Sequence, residues 1–86
     1  MAKYRVEIKR SAVQEIKTRP SQDLKKVLEK IALLSENPRP SGSVKLTAGE
    51  KYRLRAGRYR ILYTSEDDRL VVTVVKAGHR RDVYRS

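Results

Sequence analysis

Tyr52-Arg53-Leu54-Arg55-Ala56-Gly57-Arg58-Tyr59-Arg60-Ile61-Leu62-Tyr63 is the stretch that decides the fold, because successive side chains in a strand point to opposite faces. That alternation sets Tyr52 and Leu54 against Arg53 and Arg55. It also sets Tyr59, Ile61 and Tyr63 against Arg58, Arg60, Leu62 and Thr64. Residues 52–56 and 58–65 are therefore expected as strands with one apolar and one cationic side. If both apolar sides face the same layer, Tyr52, Tyr59 and Tyr63 enter the core, and Arg53, Arg55, Arg58 and Arg60 share the opposite face.

The flanking segments complete the sheet. Residues 70–77 read as a strand reached through a Glu66-Asp67-Asp68-Arg69 turn, and residues 44–46 as a short one. Tyr4-Arg5-Val6-Glu7-Ile8 alternates with period two, placing Tyr4, Val6 and Ile8 on one side. Ser11 followed by Gln14 fits a capping box, and Ala12, Val13 and Ile16 give the next segment an apolar side until Thr18-Arg19-Pro20 interrupts it. Ser21 is expected to cap a second helix, in which Leu24, Val27, Leu28, Ile31 and Leu34 recur at three-and-four spacing. Pro38, Pro40 and Gly42 then stop it. The expected product is one α+β domain over residues 1–86: an N-terminal strand, a two-helix hairpin and an antiparallel meander, with the helices on one sheet face. Leu24, Val27, Leu28 and Ile31 should pack on a sheet containing Ile61 and Val72 or Val74.

Composition narrows the function. A chain of 86 residues with 38% hydrophobic content supports one modest core. Cysteine is absent, so no disulfide framework or thiolate metal site supplements that core, and a reducing cytoplasm is the expected compartment. The first residues lack the apolar region of a signal peptide, and no run approaches the ~20 apolar residues of a membrane span. The formal net charge of +11 favours a polyanionic partner, either nucleic acid or an acidic protein. Charge alone fits a ribosomal-type basic protein equally well.

The strand pair quoted above, followed by Val74-Val75-Lys76-Ala77-Gly78-His79-Arg80-Arg81-Asp82-Val83-Tyr84, resembles the RelE branch of the RelE/ParE toxin superfamily. The resemblance spans nearly the whole chain, although only these two segments are specific. It implies an mRNA endonuclease that needs neither metal nor cofactor and cuts mRNA in the ribosomal A site. An acidic, RelB-like antitoxin would silence it. The 2′-hydroxyl would attack the adjacent phosphate, leaving a 2′,3′-cyclic phosphate and a 5′-hydroxyl. Arg60 would then stabilise the phosphorane, Arg80 would hold the phosphate and leaving oxygen, and Tyr84 would stack on the base or orient the 2′-hydroxyl.

Arg53 and Arg55 stand where relatives carry lysines, which changes the chemistry open to them. Arginine stays protonated, so Arg55 is a poor proton acceptor, but it can clamp a phosphate bidentately. His79 is the single histidine and the side chain best suited to titrate in the mechanism. Arg58, Arg81 and Lys51 are further RNA-binding candidates. Other readings stay open at this stage: Arg53 and Arg58 also fit a solvated strand face, and His79 an exposed tail. The whole chain also fits a ParE-like gyrase-inhibiting toxin, a basic RNA-binding protein without catalysis, or a degenerate toxin that only binds its antitoxin.

Overall fold

The computed structural model describes residues 3–18, 21–46 and 51–79, with His79 by its backbone alone. The elements in chain order are β1 (Arg5–Ile8), α1 (Arg10–Lys17), α2 (Ser21–Glu36), β2 (Val44–Lys45), β3 (Lys51–Ala56), β4 (Tyr59–Glu66) and β5 (Val71–His79). They build the expected α+β domain. The strands form one sheet in the order β1-β5-β4-β3-β2, in which β1 runs parallel to β5 and the other neighbours are antiparallel.

The alternation of β3 and β4 survives in the structure. Tyr52, Leu54, Ala56, Tyr59, Ile61 and Tyr63 are buried with Val72, Val74 and Ala77 from β5, while α2 supplies Val27, Ile31 and Leu34 and α1 supplies Ala12 and Ile16. Tyr52 and Tyr63 stack with ring centroids 5.6 Å apart. Burying a tyrosine requires a partner for its hydroxyl, and both buried β4 tyrosines have one. Tyr63 donates to the Pro38 carbonyl in the loop after α2, and Tyr59 donates to Asp23 in the first turn of α2 at 2.9 Å. The two ends of α2 are thus tied to one strand.

Two local expectations are corrected. The capping box does not form, because α1 begins one residue before Ser11 on an extended Lys9 that makes no side-chain cap hydrogen bond. Leu28 is not in the core; it is 45% exposed. At 3.6 residues per turn it lies about 90° from the centre of the stripe formed by Val27, Ile31 and Leu34. Leu24 sits closer to that centre and packs against the core while partly buried.

The β4–β5 turn is fastened by Asp67. Its Oδ1 accepts from Tyr4 at 2.9 Å and from Ser65 at 3.1 Å, and Arg39 clamps both carboxylate oxygens at 3.2 Å. The hydrogen bond from Tyr4, then that from Arg39, holds the Asp67 carboxyl below the usual aspartate range. A carboxyl with a depressed folded pKa stabilises the protein fully above its unfolded pKa of about 3.9, and that contribution is lost as pH falls through the lower folded value. Asp67→Asn should accordingly lower the melting temperature at neutral pH and flatten its acid dependence below about pH 4. Parallel melting curves for parent and variant throughout that range would refute this role.

Candidate nucleic-acid interface

β3, β4 and β5 turn one face to α2 and the other away from it. Pairing places Arg55 opposite Arg60, Arg53 opposite Leu62, and Lys51 opposite Thr64 across β3 and β4. All these side chains have the parity opposite to the buried tyrosines, so four cations from two adjacent strands occupy one surface. Like charges directly opposite each other on neighbouring strands are unfavourable in themselves. A bound anion between Arg55 and Arg60 would offset that cost. Arg55 is exposed and donates from Nε to the Gly57 carbonyl at 3.2 Å, which turns it toward the end of the hairpin. Arg53 and Arg60 are half-buried.

β5 adds a fifth cation through an irregularity. Leu62 pairs with Lys76 but Tyr63 pairs with Val74, so Val75 is the extra residue of a bulge. A bulge reverses the side-chain parity beyond it. Lys76 therefore joins Leu62 on the cationic face, although a regular strand would have turned it inward with Val72 and Val74. The bulge explains why the period-two pattern did not single out Lys76.

α1 closes this face on one side. β1 pairs with β5 only as far as Val74, and α1 follows at once, starting beside the upper half of β5 with Lys9 N–H donating to the Val74 carbonyl at 3.0 Å. Its Ala12 and Ile16 enter the common core, while Glu15 reaches Lys76 with 3.6 Å between Oε2 and Nζ. Between α1 and the sheet lies a cleft of about 730 Å³, lined by Ser11, Gln14 and Glu15 of the helix, by Thr18 at its C-terminal cap, and by Leu46, Lys51, Leu62, Tyr63, Val75 and Lys76 on the sheet side. None of the α1 residues stands out as functional in the sequence, where Ser11 and Gln14 read only as a helix cap. The only sequence signal for them was their polar spacing on the outer side of α1.

The remaining candidates fall differently. Arg58 is not on the face: Gly57 adopts φ +62°, so Gly57 and Arg58 form the tip of the β3–β4 hairpin, and Arg58 is exposed there. The His79 backbone ends β5 opposite Tyr59. Arg80, Arg81 and Tyr84 lie outside the described residues, as does the last stretch of the motif that carries them. Among the described residues no helix is long and apolar enough to cross a membrane.

Comparison with known proteins agrees with this architecture. The family model for the ParE toxin of type II toxin-antitoxin systems, parDE, matches residues 3–84. A Methanocaldococcus jannaschii protein assigned as toxin RelE1 is 32% identical over 88 residues, which cover 98% of each chain. A chain of the archaeal RelE-RelB complex from Pyrococcus horikoshii aligns with a TM-score of 0.82 at 29% identity, over 93% of the present chain and 97% of that one. The isolated E. coli RelE toxin aligns with a TM-score of 0.75 at 28% identity, over 95% and 92% respectively.

Proposed function

The chain belongs to the RelE/ParE superfamily of toxins of type II toxin-antitoxin pairs, and from that membership we propose that it is a metal-independent endoribonuclease cutting mRNA in the ribosomal A site of the cytoplasm. The observation that carries this reading is the pairing of Arg55 with Arg60, flanked by Arg53, Lys51 and Lys76 on the sheet face that α2 leaves open. In the proposed reaction the 2′-hydroxyl oxygen bonds to the adjacent phosphorus as the bond to the 5′-oxygen breaks. The 2′-hydroxyl loses its proton and the departing 5′-oxygen gains one. Arg60 meets the charge that builds on the phosphoryl oxygens, and Arg55 and Arg53 hold the phosphate. Arg80 and Tyr84 take the leaving-oxygen and base-orienting roles that their motif positions imply, and His79 is the candidate proton carrier.

Primer extension on translated mRNA after induction tests substrate and reaction together. Ribosome-dependent cuts with cyclic-phosphate ends support the proposal. A gyrase-poisoning toxin is the second reading, favoured by the match to the ParE family model. It predicts inhibited supercoiling and intact mRNA instead.

The Pyrococcus horikoshii relative is a chain of a complex with RelB, and by that likeness the partner proposed here is an acidic, RelB-like antitoxin that covers the cationic face. Burying this face beneath a complementary chain would neutralise charge and exclude RNA together. Antitoxin affinity measured by titration calorimetry should therefore fall steadily as salt is raised through the physiological range. Affinity that stays flat would assign the contact to apolar surface and remove charge neutralisation from the account.

A further inference from the structure

We propose that the cleft between α1 and the cationic face is a nucleobase pocket in which the Glu15 carboxylate selects bases bearing an exocyclic amine over uracil. The inference rests on RNA lying along this face. Its placement comes from the sheet register. Leu62, on the cleft floor, is flanked by Arg53 on β3 and Lys76 on β5. Arg60 is two residues away on β4, about 7 Å along the strand. A phosphate held by Arg55 and Arg60 would thus leave its neighbouring base within reach of the cleft. The cleft suits a base in kind as well as position. Leu46, Leu62 and Val75 offer an apolar surface to its ring, and Gln14 and Glu15 offer hydrogen-bonding groups at the edge.

Glu15 is the informative residue. A carboxylate on a surface that attracts phosphates weakens general RNA affinity, so its presence calls for a different ligand group. It is also held in place: Oε2 meets Lys76, with both side chains only 26% exposed, and among the described residues Oε1 has no protein donor. Oε1 can therefore accept from a base. Adenine, cytosine and guanine each present an amine to such an acceptor. Uracil presents one ring N–H between two carbonyl oxygens that repel a carboxylate. A charged acceptor on a desolvated base edge gives discrimination on the order of tenfold.

The test is equilibrium binding to the full chain by fluorescence anisotropy. The probes are labelled, 2′-O-methylated uridine hexamers carrying one A, C or G, with the all-uridine hexamer as reference. The methyl group blocks cleavage, so binding is read alone. The parent should bind the amine-bearing hexamers about tenfold more tightly than the reference. Glu15→Ala should bring that ratio close to one, and the near-isosteric Glu15→Gln should lower it while preserving the fold. Glu29→Gln, on the far side of α2, should leave it unchanged. Loss of one acidic charge raises affinity for every hexamer alike and cancels in the ratio, so a mere salt-bridge role for Glu15 leaves the ratio where it was. An unchanged ratio in Glu15→Ala, equal affinities in the parent, or no hexamer binding at all overturns the pocket. Cleavage on ribosomes is scored separately. Its absence with the base ratio intact removes the nuclease reading and leaves the pocket, whereas cleavage without a Glu15-dependent ratio removes the pocket alone.

Discussion

Arg60→Ala and Arg80→Ala are each expected to slow single-turnover mRNA cleavage by roughly 10²–10³ while leaving most ribosome affinity in place. Attack on a phosphodiester adds negative charge to the phosphoryl oxygens, and in the metal-independent reaction proposed here guanidinium groups must meet it. A donor aimed where charge develops is worth more in the transition state than in the ground state, so its loss appears in the rate. Ground-state affinity is spread over many cations, each making one screened phosphate contact. Losing one should lower the salt slope by about one unit or less. Arg60 is placed for the role by its pairing with Arg55, whereas Arg80 is chosen by its motif position. Arg58→Ala is the control, since that side chain sits at the hairpin tip rather than on the face. Melting curves recorded alongside would separate a lost transition-state contact from a loss of fold. Cleavage by Arg60→Ala and Arg80→Ala at the rate of Arg58→Ala and the parent would leave a protein that binds RNA without cutting it.

The cationic face was legible in the sequence wherever strand alternation is regular. Arg53, Arg55 and Arg60 share a face because β3 and β4 pair without interruption from Lys51 to Ala56. The buried sides of Tyr52, Tyr59, Ile61 and Tyr63 follow from the same parity. Legibility stopped at the first departure from period two. The bulge at Val75 turns Lys76 onto the face, and the pattern there does not announce it, since Val74 and Val75 are both sound strand residues. Arg58 failed for a related reason: the hairpin turn takes two residues, and the left-handed Gly57 draws Arg58 into it. The cleft is a tertiary product. It exists because β1 is shorter than β5, which lets α1 lie beside the unpaired half of that strand, and β1–β5 pairing joins residues from the two ends of the domain. Local pattern carries no record of that contact.

The second large effect concerns the core, where Leu34→Ala should cost about 2–5 kcal/mol and Leu28→Ala less than about 1 kcal/mol. Both leucines belong to the apolar spacing of α2, and from spacing alone Leu28 was expected in the core. The packed helix separates them. Leu34 has no exposed surface and meets the sheet between its ties to Tyr59 and Tyr63, so truncation leaves a cavity that the surrounding strands can close only in part. Leu28 keeps 45% of its surface in solvent, within a shallow depression shared with Leu24, Lys25 and Ala32. Alanine removes little buried area there and has the better helix propensity. Urea denaturation of the two variants measures the difference directly, with the midpoint carrying the effect and the slope unchanged if both remain two-state. Equal losses would mean that α2 is rotated toward Leu28. Such a rotation would also carry Asp23 away from the Tyr59 hydroxyl and so loosen the helix from the strand that presents Arg60.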